Sequence, residues 1–308
     1  MPEVKADFGP PLSGLGRSDW IAEVEELASY DGYLSHLGKK HLAVFSEHGP
    51  SLLVSFETLQ GIQALSPTAH PLGWEMVKSQ GWSSLTLISD GDTWFRNAAV
   101  YAYFDRLVDD GFFDEFERVV FYGAGSCGYA AAAYSVVAPG ARVLTIQPQA
   151  TLAPDLTEWD TRFPEQRRVN FSDRYGFAPD MLEAAAQAYI VYDPTQIEDA
   201  MHAALFTRPN VTKLRMRHMG AAVQTDLLQM GILYDLLELA HDGRLSQRQF
   251  ASIARARRTH LPYLRRLLTK LDQDGRTELV RLLCRNVNAR MRAPRFARRL
   301  ESLPDPDV

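Results

Sequence analysis

Cysteine is almost absent from this chain: of 308 residues, only Cys127 and Cys284 carry a thiol. That excludes a disulfide framework and leaves no C-x-x-C pair to grip a metal or a haem. Long apolar runs are missing too. Nothing approaches the ~20 residues that a bilayer-spanning helix needs. Met1-Pro2-Glu3-Val4-Lys5-Ala6-Asp7 lacks the basic-then-apolar layout of a secretory signal. These absences point to a cytoplasmic, bacterial-type protein with no membrane span, no metal and no cofactor. What is there is an ordinary globular balance, 46% hydrophobic and 23% charged. The length allows one large α/β domain, or a smaller one with an appendage.

The net charge of −5 hides an asymmetry. From Arg244 to Arg299, sixteen Lys/Arg face only Asp272, Asp274 and Glu278, whereas the rest of the chain is acidic. The simplest reading is a helical face solvated by long arginines and drawn to the acidic body. An anion- or nucleic-acid-binding surface is the weaker alternative, because the stretch lacks the interleaved aromatics and glycines of the common RNA-binding modules. A protein partner is the remaining reading, and oligomeric state is not legible.

Residues 1–40 form a lead-in with a helix near Trp20–Tyr30. Short apolar runs then recur at His41–Phe45, Leu52–Phe56, Leu85–Ser89, Val119–Tyr122, Arg142–Ile146, Tyr189–Tyr192 and Val211–Met216. Helical patterns alternate with them: Phe95–Val108, a helix after Ser126, one opening at Pro179, and one that Thr195-x-x-Glu198 would cap as a capping box. Continuous apolar strands alternating with helices predict a mostly parallel sheet with helices on both faces, over residues 41–220. From 221 to 308 only helical periodicity is seen, with Ser246-x-x-Gln249 as a second capping box and no fixed repeat length. This predicts a basic α-helical C-terminal appendage.

In such a sheet, ligands bind beyond the carboxyl ends of the strands. Those positions hold Glu57 and Thr58, then Asp90, Asp92, Trp94 and Arg96, then Gly123-Ala124-Gly125-Ser126-Cys127-Gly128, then Gln147 and Gln149, then Asp193, and last His218. The glycine-rich segment joins a buried strand to a helix start, as a nucleophile elbow does. Ser126, His218 and Asp193 therefore form a candidate nucleophile, base and acid, in that chain order. The Cys127 N–H would be one oxyanion donor, with another from the Glu57–Thr58 loop. Gln149 and the Asp90–Arg96 stretch are candidate substrate contacts, and Trp94, Arg96, Trp159 and Arg162 would flank the cleft mouth. His202 and Asp199 share a helix face, but two ligands are too few to hold a metal.

The segment Tyr122-Gly123-Ala124-Gly125-Ser126-Cys127-Gly128-Tyr129-Ala130-Ala131 resembles the α/β-hydrolase elbow Tyr-Gly-(Ala/Ser)-Ser-Met-Gly-Gly-Tyr-Ala-Ala. An ungapped match puts Gly125 on the nucleophile and Ser126 on the methionine. The resemblance covers roughly residues 40–220 and implies a hydrolase or acyltransferase acting on an ester or other small acyl substrate. The register leaves a second reading open, a catalytically degenerate hydrolase fold used for binding or scaffolding. The chain also resembles a group of alphaproteobacterial proteins, through Ile88–Asn97, Pro148–Pro154 and Arg174–Met181. Some of that group are labelled phosphoadenosine phosphosulfate reductase. Neither a Ser-Gly-Gly-rich pyrophosphate loop nor a Glu-Cys-Gly-x-His sequence is present to support that label.

Overall fold

The computed structural model describes residues 8–304; Met1–Asp7, read above for a signal, and the acidic Asp305 and Asp307 lie outside the described residues. Eight strands form a single sheet: β1 (Gly32–Leu37), β2 (His41–Ser46), β3 (Ser51–Thr58), β4 (Ser83–Ser89), β5 (Arg118–Ala124), β6 (Arg142–Ile146), β7 (Gln187–Tyr192) and β8 (Val211–Arg215). Their spatial order is β1-β2-β4-β3-β5-β6-β7-β8. β2 runs antiparallel to both β1 and β4, and every other pairing is parallel. This is an α/β fold with the strand order of the α/β hydrolases.

The apolar runs become strands because both faces of the sheet are covered. Along β5, Val119 and Phe121 enter one core while Val120 and Tyr122 enter the other. The first core packs the helices Ala98–Asp109 and Ser126–Tyr134, through Phe104, Tyr134 and a run of alanines from Ala130 to Ala133, onto the strands. The second holds Leu233, Leu236 and Leu237, all fully buried against Leu144, Tyr189 and Val191. Each such leucine contributes about 1.5–3 kcal/mol by leaving water. The helices of residues 223–254 therefore pack into the sheet's own core. A separate small core begins beyond them, built from Leu264, Leu268, Val280, Cys284, Val287 and Phe296.

Other local expectations need correction. β1 lies in the supposed lead-in, and the first helix is Arg17–Ala28, anchored by the fully buried Trp20 whose Nε1 donates to Ala69 O at 2.8 Å. The Thr195 capping box does not form. Thr195 donates its N–H and Oγ1 to Asp193 Oδ1 at 2.8 and 2.7 Å, and the helix Ile197–Leu205 starts without a side-chain cap. The Pro179 helix is a single turn, Ala178–Met181. Ser246 and Gln249 do make the expected reciprocal cap.

Candidate ligand site at the elbow

β5 ends against the N-terminus of the helix Ser126–Tyr134, and two glycines shape the turn. A Cβ on Gly123 would stand 2.1 Å from Cys127 O, so only glycine lets strand and helix approach this closely. Gly125 has φ 58° and ψ −124°, a conformation that side chains strain to adopt. It is thus the residue held at the apex of the turn, as the ungapped register has it. Around it the site has room, since a Cβ there would meet nothing within 4 Å.

Ser126 is the first helical residue, and its Oγ donates to Asp92 Oδ1 at 2.9 Å. The other two members of the expected triad are engaged elsewhere. Asp193, fully buried, takes Thr195 on one oxygen and the Gly220 N–H on the other at 2.7 Å. His218 has φ 66° and gives its carbonyl oxygen to Arg266 Nε at 3.2 Å. Among the described residues its ring has no hydrogen bond to Ser126 or Asp193. Both fix the chain's exit from β8.

A cavity of about 680 Å³ opens over the elbow, lined by Gly125, Ser126 and Cys127 together with Glu57, Thr58, Asp92 and Gln149. Several of the expected contacts are therefore gathered at one place. The rest are not. Asp90 pairs with Arg17 at 3.1 Å and accepts from Gln60 at 2.9 Å. Trp94 is fully buried and donates to Gln149 Oε1 at 3.3 Å. The Arg96 side chain is enclosed, donating to Asn170 O, Arg174 O and Tyr129 and pairing with Asp173, so it braces a loop and does not flank a mouth. Trp159 packs on His202, and Arg162 bridges Asp160 and Asp199.

Burial sets the chemistry of the wall. Glu57 touches the cavity but is otherwise enclosed by protein, and this pushes its carboxyl up to about 7, against the lowering effect of bonds from Leu72 N at 3.0 Å and Ser55 Oγ at 3.3 Å. The Cys127 thiol is pushed far above its usual range by burial, then by the nearby charges of Glu57 and Asp92. Thr58 is occupied as a helix cap, accepting from Gly61 N at 2.9 Å.

The cavity also recruits residues that the sequence did not flag: His70, Glu75, Gln224 and Tyr234. Gln224 reaches across to donate to Tyr122 Oη at 2.9 Å. No signal in the sequence ties these positions to the elbow, because they come from a loop, from the helix Leu72–Gln80 and from helices expected to lie in an appendage. Among the described residues there is no group of three or more His, Cys, Asp or Glu placed to hold a metal ion, and no helix long and apolar enough to cross a membrane.

Comparison with solved structures returns α/β-hydrolase-fold proteins. Est1E from Butyrivibrio proteoclasticus is 13% identical over 67% of this chain and 97% of its own, with a TM-score of 0.42. A hyperthermophilic esterase from the archaeon Pyrobaculum calidifontis is 14% identical over 79% and 93%, with a TM-score of 0.40. A hormone-sensitive lipase from a metagenome library is 14% identical over 76% and 91%, with a TM-score of 0.42. No family model and no curated protein matches the sequence.

Proposed function

We propose that this protein uses an α/β-hydrolase scaffold to bind a small molecule at the elbow, and does not transfer acyl groups through Ser126. The observation that carries this reading is Gly125 at the apex of the turn, where a hydrolase presents its nucleophile. Its neighbourhood supports the same conclusion. Ser126 is bonded to a carboxylate and not to an imidazole, so no ring nitrogen takes its proton as the chemistry requires. Glu57 and Asp92 raise the Cys127 thiol by their charge, and so stand close to where an oxyanion would develop. Negative charge there opposes the electrostatic stabilisation on which acyl transfer depends. What is left is a cavity of ligand size, about 680 Å³, with a largely apolar wall and a few polar groups, the usual make-up of a small-molecule site.

The test is covalent labelling. A fluorophosphonate probe is expected to leave the folded chain unmodified, and activated acyl esters should hydrolyse no faster with the protein than with its Ser126→Ala variant. Stoichiometric labelling at Ser126, abolished in that variant, would establish the serine-hydrolase reading instead.

A further inference from the structure

The acidic side chains of the cavity wall have no strongly basic side chain among its lining residues. Glu57, Glu75 and Asp92 line it, and no lysine or arginine does among the described residues. Two of these carboxylates are answered within the protein, Glu75 by Lys78 at 3.3 Å and Asp92 by the Ser126 hydroxyl. Glu57 is not. Both of its bonds, from Leu72 N and Ser55 Oγ, fall on Oε1, and no cation pairs with it among the described residues. Oε2 is left without a protein donor.

A second, independent group on the same wall shows the same deficit. His70 is only 2% exposed, and its Nε2 donates to the carbonyl oxygen of Pro10 at 3.2 Å. Burial, then the charge of Lys78, disfavours the imidazolium, so Nδ1 carries a lone pair. That nitrogen is buried with no hydrogen-bond partner. A buried acceptor without a donor is costly and uncommon in a finished structure. An acid and an imidazole on one cavity both lack a donor, and the rest of the wall includes Phe56, Ile62, Leu65 and Phe163.

We propose that the cavity binds a protonated amine carried on an apolar body, with Glu57 as its counter-charge. The assignment rests on the binding reading given above. An anionic ligand would have to face Glu57 and Asp92 together. A neutral ester would leave Glu57 in its protonated form and gain nothing from its charge. The ammonium supplies the positive charge that the wall lacks, and its apolar remainder replaces water along the hydrophobic side.

Calorimetric titration of the full chain with phenethylamine, phenethyl alcohol and phenylacetate tests this on three ligands of nearly equal shape. The amine should bind about tenfold tighter than the alcohol, and the acid should bind weakest. In Glu57→Gln, which keeps an acceptor for Leu72 N, the amine should lose about tenfold while the alcohol stays within about twofold. The ranking on the unaltered chain needs no variant. Equal affinity for amine and alcohol, preference for the acid, or no binding of any probe at millimolar concentration overturns the proposal. Labelling of Ser126 by a fluorophosphonate overturns the reading beneath it instead, and the two failures are therefore distinct.

Discussion

Two polar clusters sit beyond the carboxyl ends of this sheet, built from the same kinds of residue, and they differ in whether their bonds are complete. In the first, Asp160 accepts from His202 Nε2 at 2.9 Å and from Arg162, Arg162 reaches Asp199 at 2.6 Å, and Gln147 links Asp199 to Gly220 O and Val223 N. Even His202 Nδ1 is occupied, by the Ala150 N–H at 3.1 Å. In the second, at the elbow, Glu57 Oε2 and His70 Nδ1 have no donor among the described residues. A saturated network of buried charge fixes one conformation; an unsaturated one beside a cavity waits for a ligand. His202 and Asp199, which share a helix face, each already have protein partners.

The comparison breaks most visibly at Asp160. Its side chain is fully enclosed, and although burial raises its pKa, the bonds from His202 and Arg162 more than reverse this and hold the carboxyl well below its usual range. Asp160→Ala strands the buried His202 Nε2 and removes the counter-charge of a half-buried arginine. The expected loss is roughly 3 kcal/mol, read as a shift in the urea midpoint. A loss within about 0.5 kcal/mol would show that the network is ornamental.

The elbow gives the next effect. Gly123→Ala sets a Cβ 2.1 Å from Cys127 O, where neither backbone can yield, and should cost roughly 2–3 kcal/mol. Gly125→Ala meets open space and strains only the backbone, so about 1 kcal/mol is expected. Equilibrium denaturation of the two variants side by side checks the ranking. The reverse order would mean that Gly125 is not at the apex.

These contrasts mark what a sequence can and cannot carry. The strands from β2 to β7 were legible because burial on both faces writes a largely apolar run; β8, an edge strand that buries only Leu214 fully, showed through the apolar Val211, Leu214 and Met216. β1, Gly-Tyr-Leu-Ser-His-Leu, was not, because as an antiparallel edge strand it buries only Leu37 fully. The elbow was legible through its glycines, and so was the tension between Gly125 and Ser126. Glu57, Asp92 and Gln149 followed from strand ends alone. Asp193 and His218 also lie at strand ends, yet local bonds to Thr195, Gly220 and Arg266 absorb them. Chain order cannot reveal that competition. Nor can it bring His70 and Tyr234 to the cavity, since that depends on how distant helices pack.

The smallest effect separates the clusters by pH. Burial raises the Glu57 carboxyl to about 7 in the folded chain, against about 4.3 when unfolded. The folded state thus holds this proton more tightly, so the contribution of Glu57 to stability is full below the unfolded value and is lost as pH rises through about 7. From about pH 5 to about pH 8.5 this residue should cost the protein roughly 1–2 kcal/mol, discounted because the cavity lets water reach it. Of the groups facing it, Tyr122, Tyr234 and Cys127 are pushed upward and His70 downward, each mainly by burial. Asp160 behaves in the opposite sense, its contribution being full above about pH 4 and lost only in stronger acid. The urea midpoint of Glu57→Gln minus that of the unaltered chain should therefore rise from about pH 5 to about pH 8.5, a difference in which the buried histidines common to both proteins cancel. Parallel curves for the two proteins would mean that Glu57 is ionised in the folded state throughout, and the elbow would then resemble the saturated cluster more closely than its unpartnered atoms suggest.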